Sequence, residues 1–352
     1  MRVVVVGATG NVGTSVVRAL EADDSVTSIV GVARRLPGWQ SERTEWRRAD
    51  VVTGDLSQIF DGADAVVHLA WLFQPTRNAT VTWRANVLGS VRVFQAVAEA
   101  GVPALVYASS VGAYSPRPKD EPVDESWPTH GYPGAAYGRE KAYVERVLDV
   151  FENDNPGIRV VRMRPGFIFK REAATEQRRL FAGPLLPRRL VKAANIPFVP
   201  DIPGLKLQIL HAEDAAEAYR LAVTRPVSGA FNLAADPVLD PSALAELLGA
   251  RTVPVSPALA RAAVSAGWHL RLVPAAPGLL ELALQIPLMK MDRARDVLGW
   301  MPVHSAADTL RALLEGMHDG AGLDTPPLVP DTGRNRLREL VTGSGSRATP
   351  DG

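Results

Sequence analysis

Short apolar runs rich in β-branched residues alternate along the first half of the chain with stretches whose apolar positions return at helical spacing. The runs are Val3–Val6, Ser28–Val32, Ala65–Leu69, Ala104–Ala108 and Arg159–Met163. The helical stretches are Thr14–Glu21, Val87–Ala100 and Ala136–Phe151. Strands and helices in alternation predict βαβ units, and therefore a parallel sheet covered on both faces. After about residue 165 the pattern loosens, and "AGPLLPRRLVKAANIPFVPDIPG" reads as proline-rich loops with short elements. "HAEDAAEAYRLAV" predicts one more helix and "GAFNLAA" one more strand. From Gly316 onward Gly, Pro, Ser and Arg dominate. The expected organisation is a sheet-forming core at 1–165, a smaller region at 166–318 with segments returning to the core, and a weakly ordered tail at 319–352. No internal repeat is visible.

Composition narrows the function classes. The 352 residues are 46% hydrophobic and 22% charged, as in ordinary globular proteins. A net charge of +1, from 39 basic and 38 acidic residues, implies no nucleic-acid partner. Cysteine is absent, which excludes disulfides, thiolate catalysis and cysteine-ligated zinc. No metal site is read from the sequence. The start, "MRVVVVGATG", breaks at glycine too early for a secretory signal, and no apolar run approaches the ~20 residues of a membrane span. A cytoplasmic location without a membrane partner is the expectation, and the sequon Asn78-Ala79-Thr80 carries no weight under it.

In "VVVVGATGNVG", Gly7, Gly10 and Gly13 fall between the first strand and the first helix, with Thr9, Asn11 and Val12 among them. A dinucleotide site needs a sharp turn, close approach of the backbone to a pyrophosphate, and tight helix–strand packing. Each demand favours a residue without Cβ, and helix N-terminal N–H groups then face the anion. A tight βα turn without a ligand is the plainer alternative. With the loop in place, the sheet reads as a Rossmann-type doubly wound fold of the α/β class. The second strand ends in Ala33, Arg34 and Arg35, where NAD sites of this kind carry a carboxylate. A guanidinium binds a 2′-phosphate that a carboxylate would repel, so NADP(H) is preferred. NAD(H) remains open if the arginines are only solvated.

"ALVYASSVGAYS" runs into Ser109 and Ser110 at a strand's carboxyl end, where parallel sheets place ligands. In "GYPGAAYGREKAYVERV", Tyr137 and Lys141 are four apart, which on a helix puts their Cβ atoms about 5–6 Å apart on one face. A lysine cation stabilises a phenolate that otherwise forms only near pH ~10. A serine hydroxyl can hold the reacting oxygen.

With these residues in place the chain resembles the extended short-chain dehydrogenases/reductases of the NAD-dependent epimerase/dehydratase family. The matching stretches are "GATGNVG", "ADAVVHLAW", Asn86 in "RANVLGS", "YASSVGAY", Tyr137-x-x-x-Lys141, "RMRPGFIF", "LHAEDAAEAY" and "RARDVLGWMP". The resemblance covers residues 1 to about 318. It implies that Ser110 is the catalytic serine with Tyr137 and Lys141. It implies that Asp50 and Val51 lie near the adenine, that Leu69 and Ala70 line the cofactor, and that Asn86 supports the site. Pro165, Gly166 and Ile168 would flank the nicotinamide, with Lys141 on its ribose. His211 and Asp214 would join the substrate side to the core.

Three chemistries run on this scaffold. A 4,6-dehydratase needs an Asp-Glu pair after the serine, and Val111 and Gly112 stand there. An epimerase is favoured by "RARDVLGWMP" and Asp292, but "RMRPGFIF" replaces the expected Arg-Tyr-Phe-Asn stretch. The loop "HLAWLFQPT" offers Trp71, Leu72 and Phe73 as an apolar substrate wall, unless they are core. Lys170, Arg171, Arg178, Arg179, Arg188 and Arg189 could meet a diphosphate, Arg178 being the one carried forward, although a solvated basic face explains most of them. The expected function is NADP(H)-dependent hydride transfer to or from a small carbonyl or alcohol substrate. The alternatives are a nucleotide-sugar epimerase with retained NAD(P), and a sensor without turnover, against which the kept Ser110, Tyr137 and Lys141 argue. A homodimer through the helix Val87–Ala100 is compatible with the pattern, but core packing explains that helix as well.

Overall fold

The computed structural model describes residues 1–75, 77–187, 191, 196–332, 336 and 339. Its strands are β1 (Arg2–Val6), β2 (Ser28–Ala33), β3 (Thr44–Arg48), β4 (Ala65–His68), β5 (Ala104–Ala108), β6 (Arg159–Pro165), β7 (Phe167–Phe169), β8 (Phe198–Asp201), β9 (Leu207–His211), β10 (Gly229–Leu233), β11 (Ala235–Leu239) and β12 (Arg251–Pro254). Seven of them form one sheet in the order β10-β6-β5-β4-β1-β2-β3, and every pairing in it is parallel. The chain winds outward in both directions from β1 and β4, so their carboxyl ends border the crevice where such sheets bind ligands.

Side chains alternate across the sheet. Val3 and Val5 face one layer, with Val16, Val17 and Leu20 of helix α1 (Asn11–Glu21). Val4 and Val6 face the other, with Val87, Val93 and Phe94 beside and within α2 (Gly89–Glu99) and Val144 and Leu148 of α3 (Ala136–Asp154). Both faces are dry, which is why the inner strands read as unbroken apolar runs. The apolar stripe of Val87–Ala100 is spent on this core, and Leu88 is the large apolar residue of the stretch left exposed. β3 escapes an apolar scan because TEWRR is a polar edge strand.

The second half returns to the core. α4 (Ala212–Thr224) packs on α1, with Ala215, Ala218, Leu221 and Ala222 in the same apolar cluster. β10 then adds the seventh strand beside β6. What remains outside includes a three-stranded sheet, β11-β9-β7, a two-stranded one, β12-β8, the short helix Pro241–Leu248, and the helices α5 (Pro257–His269), α6 (Pro277–Gln285) and α7 (Ala306–Asp319). Residues 320–332, assigned to a tail by composition, have defined contacts: Leu328 is buried and Thr325 donates to the Thr9 carbonyl at 2.9 Å. Their apolar and hydroxyl groups find partners that no local pattern announces. Among the described residues no helix is long and apolar enough to cross a membrane.

Asp214 closes the joint between the two halves. Its carboxylate accepts from Val303 N and His304 N, both at 3.0 Å, and from His304 Nδ1 at 3.1 Å. Its carbonyl takes the Trp300 indole N–H at 2.8 Å. His211 accepts from Glu213 N and stacks on His304 with centroids 4.1 Å apart. Asp214→Ala therefore strands amide N–H groups, and urea unfolding is expected to show a loss of about 3 kcal/mol with an unchanged m value.

Candidate active site

Gly7 has φ 92°, and a Cβ there would lie 2.7 Å from Ala70 N. A Cβ on Gly13 would lie 2.2 Å from the Gly7 carbonyl. These two glycines let β1, β4 and α1 meet, while Gly10 opens onto space as the N-cap of α1 without a side-chain cap. The uncapped α1 amides leave an anion cradle of the kind a pyrophosphate fills. Asn11 donates to the Ile168 carbonyl at 3.0 Å, and its own Oδ1 is buried without a partner. Thr9 and Val12 belong to the same turn. Leu69 and Ala70 follow β4 against Gly7. These observations fit a dinucleotide.

Arg34 and Arg35 stand exposed just after β2. Asp50 holds its own turn, accepting Val52 N at 2.9 Å, and Val51 packs on Gly89. Pro165 ends β6, and Gly166 and Ile168 continue beside it, with Gly166 N bonded to the Leu233 carbonyl at 2.9 Å.

Ser110 lies beyond the carboxyl end of β5 and accepts Gly112 N at 3.0 Å. Tyr137, from the first turn of α3, and the Ser110 hydroxyl flank Gly112 together. A Cβ on Gly112 would lie 2.8 Å from the Tyr137 ring, so this glycine admits the tyrosine to the serine. Lys141 donates to the Ala108 carbonyl at 2.6 Å, and its Nζ lies 5.9 Å from the Tyr137 ring centroid. Tyr137 and Lys141, paired by their spacing, thus lie close to Ser110, the serine that the resemblance singles out.

Burial tunes the pair in opposite directions. It pushes Tyr137 up to about 12, with Ser110 opposing and Glu140 adding to the rise. It pushes Lys141 down to about 7, against the pull of Glu145 and Glu140. At neutral pH Tyr137 is therefore protonated.

Asn86 acts as a clamp. It accepts Leu72 N at 2.6 Å and donates to the Leu72 carbonyl at 2.8 Å and to Glu140 at 2.7 Å. Glu140, buried, also accepts from Thr82 at 2.6 Å. The wall so fixed borders a narrow cleft of about 70 Å³, lined by Trp71, Phe73, Pro75, Ala79, Ala135 and Leu279 among others, with Tyr137 and Glu140 as its ionisable members. Phe73 lies 5.2 Å from Tyr137 and 5.2 Å from Phe181, centroid to centroid.

Arg178 does not reach this cleft. It is 2% exposed, bidentate to Glu339 at 2.8 and 2.9 Å, bonded to the Gly183 carbonyl, and 3.4 Å from Asp331. A guanidinium so buried takes carboxylates of its own chain and has no fork left for a ligand. Lys170 is buried on Thr14 and Ser15, Arg171 pairs with Asp319 at the surface, and Arg179 donates to the Pro327 carbonyl. Arg188 and Arg189 lie outside the described residues.

Sequence reasoning missed the group that holds α3. Glu145, fully buried, accepts from Arg164 at 2.9 and 3.0 Å, from Arg162 at 3.0 Å and from Ser109 at 2.5 Å. Arg164 also donates to Tyr114, whose hydroxyl bonds to Asn232 at 2.7 Å. The signal was present: β6 carries three arginines, of which Arg162 and Arg164 interrupt its apolar run, and Glu145 continues the four-residue spacing of Tyr137 and Lys141.

The model of the NAD dependent epimerase/dehydratase family matches residues 3–234. An uncharacterised protein of Mycobacterium tuberculosis is 28% identical over 333 residues, covering 92% of this chain and 31% of its own. The chain thus spans about a third of the length of that relative. The L-arabinose 1-dehydrogenase (NAD(P)+) of Haloferax volcanii is 30% identical over 188 residues, 50% of this chain and 70% of its own. MoeE5, solved with UDP-glucuronic acid and NAD, shares the fold at a TM-score of 0.65 and 22% identity, covering 90% of this chain and 98% of its own.

Burial alone would raise Glu145, but Arg164, then Arg162 and Ser109, hold it down at about 2. A carboxyl depressed below its unfolded value of about 4.3 gives stability that is complete above that pH and is lost as pH falls towards 2. Urea titrations from about pH 5 to 2.5 are expected to show this loss, and Glu145→Gln to lack that share of it. At pH 7 the variant should be about 3–5 kcal/mol less stable, because two buried arginines lose their counter-charge.

Proposed function

Because the chain belongs to the NAD-dependent epimerase/dehydratase family, we propose that it is an NADP(H)-dependent oxidoreductase that interconverts an apolar carbonyl compound and its alcohol. The observation that carries this reading is the Ser110–Tyr137–Lys141 group at the edge of a cleft walled by Trp71, Phe73 and Leu279. A nicotinamide cofactor supplies or takes the hydride. Gly7, Gly10 and Gly13 with the α1 amides hold its pyrophosphate, and Arg34 and Arg35 favour a 2′-phosphate where no carboxylate follows β2. Asp50, Val51, Leu69 and Ala70 serve the adenosine side, and Pro165, Gly166 and Ile168 the nicotinamide side.

Ser110 orients the substrate oxygen. Tyr137 gives that oxygen a proton in reduction and takes one in oxidation. Lys141 stabilises the phenolate and holds the nicotinamide ribose, and Asn86 with Glu140 keeps the apolar wall against α3. The division into a core at 1–165 and a substrate side at 166–318 belongs to this reading, with the reservation that α4 and β10 serve the core. A nucleotide-sugar epimerase is the second reading, favoured by the fold shared with MoeE5. The engagement of Arg178 and Lys170 within the chain speaks against it, because a diphosphate would need such cations.

Tyr137→Phe is expected to lower kcat by 10²–10⁴-fold, roughly the worth of one positioned proton donor, with cofactor affinity nearly unchanged. Turnover like that of the native protein would end the assignment. A protonated tyrosine serves reduction throughout the neutral range, whereas oxidation needs the phenolate. The kcat/KM for alcohol oxidation should therefore rise from about pH 7 to 10 while that for carbonyl reduction stays flat or falls. A purified protein that retains NAD⁺ and epimerises a UDP-sugar would replace this reading with the second.

A further inference from the structure

The indole of Trp71 lies on Lys141. The Nζ sits 3.5 Å from the ring centroid, and the same indole meets the Tyr137 ring edge-on at 5.8 Å. An ammonium has three N–H donors. One goes to the Ala108 carbonyl, which is the only hydrogen-bond partner of Lys141 among the described residues. The indole face takes up another direction and covers the cation on its cleft side.

The backbone on either side of Trp71 is fixed. Leu69 N bonds to the Val6 carbonyl at 2.8 Å, and Ala70 rests on Gly7. Leu72 is held at both its N–H and its C=O by Asn86. Any movement of Trp71 is therefore a side-chain rotation, towards the cleft that it lines with Phe73, Ala79 and Leu279.

We infer that Trp71 is a gate on Lys141, which the hydroxyls of the nicotinamide ribose displace when the cofactor binds. The inference rests on the cofactor reading above and goes beyond it. Ribose and indole compete for one buried ammonium, so the protein spends part of its cofactor affinity on turning the indole away. The displaced ring then lies over the apolar cleft and gives the substrate wall its working shape. Cofactor binds before substrate for that reason.

The test is titration of wild type, Trp71→Phe and Trp71→Leu with NADP⁺ and NAD⁺, by calorimetry and by tryptophan emission. The oxidised cofactors do not absorb where tryptophan emits. Trp71→Leu should bind about tenfold more tightly than wild type, the equivalent of a desolvated cation–π contact of about 1.4 kcal/mol. Trp71→Phe keeps a weaker aromatic face, folds with less risk, and should fall between the two. The emission change seen in wild type should be largely missing from Trp71→Phe, although six other tryptophans remain, the chain having seven in all. Unchanged or weaker binding in both variants, with the emission change intact in Trp71→Phe, overturns the gate and leaves the cofactor reading standing. If wild type and variants alike bind neither nucleotide, the cofactor reading falls and the gate falls with it.

Discussion

The arrangement of the site depends on one buried carboxylate. Glu145 sits on the same face of α3 as Lys141 and Tyr137, one and two turns further along, and it joins that face to β6 through Arg162 and Arg164 and to the end of β5 through Ser109. A helix packed only by apolar contacts can slide or roll by fractions of an ångström at small cost. One tied by four charge-assisted hydrogen bonds cannot, because any displacement leaves charge unpaired in a medium without water. Tyr137 therefore meets Ser110 with its azimuth already set. The same arginine reaches Tyr114 and, through it, Asn232 of β10, so the outermost parallel strand is registered against the same point.

Around this anchor the site is tuned mainly by dehydration. Burial favours the neutral forms of both Tyr137 and Lys141, and the nearby carboxylates of Glu140 and Glu145 are too well engaged to reverse it. The result is a protonated phenol without a permanent ion pair beside it. Gly112 makes this geometry affordable, because any larger residue after Ser110 would push the phenol ring away from the hydroxyl it must meet.

How much of this could be read from the sequence follows from where the determinants lie. The inner strands were legible because they are dry on both faces, and β3 was not because an edge strand carries polar residues. The glycine loop, and Tyr137 with Lys141, stood out by short-range spacing, whereas the choice of Ser110 over Ser109 came from the family resemblance. Arg178 was misplaced for the opposite reason: whether a guanidinium meets a ligand or a carboxylate depended on Asp331 and Glu339, more than 150 residues further on. Glu145 was overlooked because a charged residue on a long helix resembles a surface residue until its partners in β6 are known. The small sheet of β7, β9 and β11 had no apolar run long enough to announce it.

The position of those partners sets an order in time. A chain made from its amino terminus completes β1 to β10, and with them the glycine loop, α3 and the cleft, before Asp331 and Glu339 exist. Until they emerge, the guanidinium of Arg178 has no carboxylate to bury against, and holding it in the interior costs several kcal/mol. The segment around Phe181, which meets the apolar wall at Phe73, can settle only once that charge is answered. The nascent protein thus has Ser110, Tyr137 and Lys141 in place while one flank of its cleft still waits for the carboxylates of Asp331 and Glu339.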